Sequence, residues 1–111
     1  TLSAAVLEDA DFRDSAFDGV VMQRANLMRA NLSGCRFTRA ELNSCVMCGA
    51  NLRYAVFAHA NMSDCDLRDS NLEMADMHRA IVARARFDGA RTNGMKKTDL
   101  ERSAAEDFKT G

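Results

Sequence analysis

The sequence from Ala25 to Gly34 reads ANLMR ANLSG, two consecutive units of five residues that share one pattern. The pattern extends along the chain in both directions. Every fifth residue from Leu2 to Thr92 gives 19 positions, and 18 of them hold a large apolar residue. Two residues earlier in each unit, the 18 positions from Ala5 to Ala90 hold 12 Ala, 3 Cys, 2 Ser and 1 Val. The chain is therefore an internal repeat with a period of five residues.

This period matches neither an α-helix, which repeats about every 3.6 residues, nor a strand, which alternates in steps of about two. A helix would spread the apolar residues around its whole surface, and a flat strand would place successive ones on opposite faces. The pattern fits a chain that turns a corner in every unit and sends one small and one large residue inward. Five of the six glycines lie two residues after the large apolar position, where a corner needs their backbone freedom.

The units that begin Ala25-Asn26-Leu27, Ala30-Asn31-Leu32, Ala50-Asn51-Leu52 and Ala60-Asn61-Met62 resemble the pentapeptide-repeat family, whose units read A-[DN]-L-x-x. The resemblance covers nearly all of residues 1–95. It implies an all-β fold, a right-handed quadrilateral (four-sided) parallel β-helix in which four units form one coil. It specifies function far less, because members of one fold family serve many roles.

Four units of five place residues 20 apart directly above one another, about 4.8 Å apart as in any sheet. One inward column then holds Phe17, Phe37, Phe57 and Met77. On the outside, we expect Asn31, Asn51 and Asn71 to stack as an amide ladder along one edge.

The five-residue period stops after Gly94. Thr98 to Glu101 are typical of a helix N-terminal capping box. Apolar residues then recur every four residues, at Leu100, Ala104 and Phe108. The sequence therefore predicts a pentapeptide-repeat β-helix over residues 1–95 and a short C-terminal α-helix and tail over 96–111. This helix is either a lid over the last coil or a surface for dimerisation or partner docking.

Composition excludes several classes of protein. The 111 residues include 15 Lys and Arg and 16 Asp and Glu, a net charge of −1. This balance disfavours a nucleic-acid partner and a strongly acidic DNA mimic. The chain lacks a membrane-spanning run of apolar residues and a basic-then-apolar signal segment, so we expect no membrane partner. Because it begins with Thr rather than Met, we expect a domain cut from a longer protein.

Charge is nevertheless banded along the repeat. Residues 1–20 carry five acids and one base, and residues 21–40 carry four Arg and no acid. Residues 61–80 are net −3 and residues 81–100 net +3. The bands either guide a protein partner or attract one coil to the next.

The positions of the cysteines in the repeat favour buried structural thiols over a metal or redox site. Cys45 and Cys48 match C-x-x-C, but the register points Cys45 inward and Cys48 outward, so the two cannot chelate one ion together. Cys35, Cys45 and Cys65 take inward positions usually held by Ala, where a thiol acts as a small hydrophobe. Cys45 and Cys65 stack with β-carbons slightly too far apart for an easy disulfide. We therefore predict reduced thiols, no metal, no cofactor and a cytoplasmic location.

Two groups of outward side chains are candidate binding surfaces. The first is a basic patch that would bind an anion or nucleic acid, or would simply be solvated: Arg36, Arg39, His59, His78 and Arg79. The second is apolar, with Tyr54 and Met74 in one corner column and Met28 stacked on Cys48. A contiguous apolar set of this kind marks an interaction face.

The sequence predicts a protein that is not an enzyme. It contains no Ser-His-Asp order, paired-carboxylate cleft or phosphate-binding glycine loop, and a tube packed with side chains offers no pocket for a small-molecule substrate. We therefore predict a scaffold for a protein partner, with homodimerisation through an end of the tube as one option. Two alternatives stay open: a module of a larger bacterial secreted effector or secretion-system adaptor, and a DNA-mimicking inhibitor or protector of DNA gyrase.

Overall fold

A computed structural model describes residues 1–98 and Glu106, and in it the chain winds as a β-helix with parallel pairing between successive coils. Fifteen bridges each join a residue to the one 20 positions later, from Val6 with Asn26 to Asp76 with Lys96. Among the described residues every strand is a single bridge residue, and Glu106 alone is helical. The predicted register is confirmed, and pairing continues one residue beyond the predicted boundary at 95. The described part of the chain contains no helix long and apolar enough to cross a bilayer.

Each corner of the β-helix is a turn closed by one backbone hydrogen bond, such as Ala30 N–H to the carbonyl of Leu27 at 3.0 Å. The second central residue of every turn, from Ala4 to Gly94, has a positive φ of 55–75°. This is the signature of a type II turn, which favours glycine or asparagine at that position. A β-carbon at Gly34 would overlap Oδ1 of Asp14 in the coil before, so a larger residue there would require the exposed Asp14 side chain to move.

The residue after each large apolar residue is the first central residue of the turn, and its N–H makes no backbone hydrogen bond in the described residues. Where the residue before the apolar one is Asn or Asp, its side-chain oxygen satisfies this donor. Asn31 Oδ1 accepts from Ser33 N–H, Asn51 Oδ1 from Arg53 N–H and Asn71 Oδ1 from Glu73 N–H, at 3.3, 3.1 and 3.0 Å. Asn31, Asn51 and Asn71 stack in register as predicted, but the hydrogen bonds described for their side-chain oxygens run to the backbone of their own units, as in an Asx turn, and none joins one of these amides to the next.

Replacing Asn51 by alanine removes this acceptor, and we expect the free energy of unfolding to fall by about 1 kcal/mol. Asn51→Asp is the matched control, since its carboxylate accepts the same hydrogen bond from Arg53 N–H. Urea unfolding of both variants tests the assignment. A loss as large for aspartate as for alanine would contradict it.

The core consists of the inward columns of the three middle coils. The large apolar side chains from Met22 to Leu72 and the small residues between them are buried, as are Ala75 and Met77. The rings of Phe17, Phe37 and Phe57 stack with centroids 5.3 Å apart and planes within 11° of parallel. Phe12 and Phe87, nearer the ends of the described stack, are only partly buried, because among the described residues their coils pack against one neighbouring coil instead of two.

The inward cysteines do more than fill alanine positions. The thiols of Cys35, Cys45 and Cys65 donate to carbonyls 23 residues earlier, those of Phe12, Met22 and Leu42, at 2.8–2.9 Å. All four cysteines are free thiols. Burial raises the pKa of Cys45 to about 11 and that of Cys65 to about 12. These thiols are therefore neutral hydrogen-bond donors in the folded protein.

Ion pairs join coils of opposite charge. Arg29 Nε lies 2.9 Å from Asp9 Oδ1, and Arg84 Nε lies 2.8 Å from Asp64 Oδ1, each pair bridging residues 20 apart. Arg36 and Asp18 form an ion pair at 3.0 Å that likewise joins a basic coil to the acidic coil before it. The charge bands therefore attract neighbouring coils, although each exposed pair stabilises the fold only slightly.

Candidate functional site

One corner of the β-helix exposes two large side chains in adjacent coils. Tyr54 is 53% exposed and Met74 is 39% exposed, and both are second central residues of their turns, with φ of 62° and 61°. The guanidinium of Arg53 lies 5.4 Å from the centre of the Tyr54 ring. The Met74 side chain extends over Gly94 of the next coil, where a β-carbon would overlap its sulfur. We call Tyr54, Met74 and Arg53 the Tyr54 corner.

Tyr54 and Met74 share their left-handed backbone with twelve other non-glycine turn residues, so what distinguishes this corner is the exposed apolar surface of the two side chains. A side chain with a left-handed backbone costs roughly 1–2 kcal/mol relative to glycine. Inward packing does not offset this cost for Tyr54 or Met74, because both side chains point outward and stay exposed. Exposed apolar groups that gather in one place mark an interaction surface more often than isolated ones do.

The structure does not bring Met28 to the Tyr54 corner. Met28 is the first central residue of a turn on the next corner round the tube, beside Arg29, and is only half-exposed. The predicted apolar face therefore divides between two corners, and Tyr54 with Met74 is the larger part.

The predicted basic patch also divides. Arg36 pairs with Asp18, and Arg39 is exposed. His59, His78 and Arg79 instead gather around the carboxylate of Glu106. The Nε2 atoms of His59 and His78 lie 3.1 and 2.9 Å from its two oxygens. Arg79 Nη1 lies 3.8 Å from one of those oxygens.

His78 corrects the sequence-based expectation of a side chain open to solvent. It points away from the core, as the register requires, but is only 1% exposed. The hydrogen bonds from His78 and His59 lower the pKa of Glu106 to about 2, so this carboxylate is ionised at neutral pH. The anion beside His59, His78 and Arg79 is thus the carboxylate of Glu106, a side chain of the protein itself. Sequence reasoning missed Glu106, which lies beyond the repeat and carries no periodic signal.

A cavity of about 410 Å³ lies at the C-terminal end of the β-helix, with Met77, Val82, Phe87 and Met95 in its lining. This space lies at the end of the last described coil and not within the tube, whose interior is filled by its own side chains as predicted. The predicted lid or docking helix with Leu100, Ala104 and Phe108 lies outside the described residues, so its role stays a prediction. The same holds for homodimerisation through an end.

Two family models, both described as pentapeptide repeats, match the chain. One matches residues 30–69 and 55–91, and the other matches residues 2–46. No curated protein sequence matches significantly.

Solved structures show the same fold. HetL, a pentapeptide repeat protein involved in heterocyst differentiation regulation in the cyanobacterium Nostoc sp. strain PCC 7120, is 27% identical with a TM-score of 0.70. The match covers 87% of this chain and 46% of HetL. A pentapeptide repeat protein from the thylakoid lumen of Arabidopsis thaliana is 28% identical with a TM-score of 0.67, over 85% of this chain and 62% of that one. The chain thus spans about half to three-fifths of these relatives.

A third match is too weak to bear on function. QnrB1, a plasmid-mediated fluoroquinolone resistance protein, is 15% identical with a TM-score of 0.23, over 99% of this chain and 92% of that one. The stronger neighbours imply a right-handed quadrilateral β-helix, in agreement with four bridges in each 20-residue coil. With repeat matches that together run from residue 2 to residue 91, the chain belongs to the pentapeptide-repeat family.

Proposed function

We propose that the chain is a non-enzymatic scaffold that binds a protein partner through the Tyr54 corner. The observation that carries this proposal is the pair of exposed apolar side chains, Tyr54 and Met74, at adjacent left-handed positions. Proteins of the family are generally structural or interaction modules without catalytic activity. The middle coils are filled by their own side chains, which leaves the outer wall as the surface for recognition.

The side chains of the Tyr54 corner suggest which chemical groups the partner presents to it. Tyrosine combines a large apolar surface with a polar hydroxyl and loses little conformational entropy on binding, which makes it a frequent anchor in interfaces. Arg53 beside its ring adds a positive charge at the rim. We infer an apolar groove on the partner, with a carboxylate placed near Arg53. HetL, which matches most of this chain, is involved in regulation, a role that a binding scaffold suits.

DNA mimicry at gyrase has less support as a function. Duplex DNA presents continuous negative charge, whereas acidic and basic coils alternate here and pair with one another. We also propose a cytoplasmic location, since four free thiols suit a reducing compartment.

The test is a double variant, Tyr54→Asn with Met74→Asn. Asparagine tolerates the left-handed backbone, so the variant should fold at least as stably as the wild type. We expect at least a tenfold loss of the partner captured from a lysate of the source organism, measured by quantitative mass spectrometry.

The matched control changes another corner in the same way, with Arg24→Asn and Ser44→Asn. These residues are also 20 apart and have φ of 62°. Capture should match the wild type for this control. Equal capture by all three proteins would remove the Tyr54 corner as the binding surface.

A further inference from the structure

Three side chains with metal-binding atoms converge on the outer wall near the C-terminal end. His59, His78 and Glu106 each offer one ligand atom, and these atoms all lie within 4.8 Å of one another. The two imidazole rings meet edge to face, with centroids 5.4 Å apart. The five-residue repeat pattern does not require histidine at these positions, and the Tyr54 corner does not involve them.

The spacing of these atoms suits a zinc ion. Tetrahedral Zn²⁺ with bonds of about 2.0–2.2 Å places neighbouring ligand atoms about 3.3 Å apart. The two imidazole nitrogens already lie 2.9 and 3.1 Å from the Glu106 oxygens. The widest separation among the three ligand atoms therefore has to shrink by at most about 1.5 Å. Two histidines and one glutamate form a known three-ligand zinc set, completed by water.

Two of the three ligands stand on rigid backbone. His59 and His78 lie in adjacent coils, and the N–H of His59 donates to the carbonyl of His78 at 2.9 Å. Asp76 Oδ1 accepts from the N–H of His78 at 3.0 Å and fixes that turn. His78 is almost fully buried, which limits the conformations open to its ring. Ligands held in this way lose little entropy when a metal binds.

We propose that His59, His78 and Glu106 form a binding site for one Zn²⁺ ion. Bound zinc would replace the two hydrogen bonds to the carboxylate with bonds from the metal to both Nε2 atoms and to Glu106, and each neutral ring would then carry its one proton on Nδ1. It would thereby link the chain beyond the repeat to two coils of the wall. Arg79 opposes the cation with its positive charge, 3.8 Å from a Glu106 oxygen, so we expect binding weaker than at an all-cysteine structural site.

The experiment uses the full chain without a polyhistidine tag, stripped of metal and titrated with Zn²⁺ at neutral pH against a chromophoric chelator. We expect one equivalent of Zn²⁺ to bind. Co²⁺ in place of zinc should give visible absorption bands typical of tetrahedral coordination. His59→Asn and Glu106→Gln should each weaken zinc binding at least tenfold. Both are conservative, since asparagine suits the left-handed backbone at position 59 and glutamine keeps the size of glutamate.

Cys48→Ser is the control, because Cys48 is a partly exposed thiol that could bind zinc by itself. This variant should bind zinc as the wild type does. Far-UV circular dichroism of each variant separates loss of the site from loss of the fold. Three results would overturn the proposal: no binding at about a tenfold excess of Zn²⁺, binding that survives in both folded site variants, or binding lost only in Cys48→Ser.

Discussion

Replacing Phe37 by alanine is expected to lower the free energy of unfolding by about 3–5 kcal/mol. Phe37 is fully buried, and its ring stacks between those of Phe17 and Phe57 at 5.3 Å on each side. The cavity left by the ring cannot collapse, because backbone hydrogen bonds such as Phe37 N–H to Val56 O, at 2.7 Å, fix the distance between coils. A loss of this size is a large fraction of the total stability of a small domain. Urea unfolding followed by circular dichroism measures it.

Phe87→Ala is the matched control for this prediction. Phe87 lies near the C-terminal end and is only partly buried, so its replacement removes less buried surface. We expect roughly half the loss seen at Phe37, since a partly exposed ring contributes less transfer free energy. Equal losses at the two positions would show that the stacked column does not concentrate stability in the middle coils.

The sequence predicted the interior of this fold well, for a physical reason. Each unit must bury one large and one small residue, so the spacing of Phe17, Phe37 and Phe57 in the sequence directly encodes their stacking in space. The Asn and Asp positions were visible in the same pattern, but their role was not. Asn51 accepts a hydrogen bond from its own turn, and that bond depends on the direction of the Arg53 N–H, which periodicity does not specify.

The outer surface was harder to predict. The repeat pattern states which residues point outward, but not what then covers them. His78 points outward and is nevertheless buried, beside a carboxylate 28 residues later in the chain. The different corners of Met28 and Tyr54, by contrast, follow from the 20-residue register alone. The end cavity escaped prediction because the repeat pattern describes the inside of coils and not the place where they stop.

Only one of the four cysteines, Cys48, is expected to react readily with a small disulfide reagent at pH 8. Cys48 is partly exposed, whereas Cys35, Cys45 and Cys65 are fully buried and donate hydrogen bonds to carbonyls. Buried thiols react only after local opening, so we expect them to be at least about a thousandfold slower. Partial burial and the nearby Asp66 also raise the pKa of Cys48, so its reaction should be slower than that of a free thiol.

Cys48→Ser should abolish the fast phase of this reaction, while denaturant should make all remaining thiols react at once. Rapid reaction of two or more thiols in the folded protein would show that the inward columns open far more readily than their packing indicates.

The pH dependence of stability provides a second measurement of the buried thiols. The folded pKa values of Cys45 and Cys65, about 11 and 12, lie above the ordinary value of 9.0. Their burial as neutral thiols therefore stabilises the fold below pH 9, and this contribution is lost as pH rises toward 11–12. Cys45→Ala with Cys65→Ala, which restores the usual small residue, should lose less stability over that interval than the wild type.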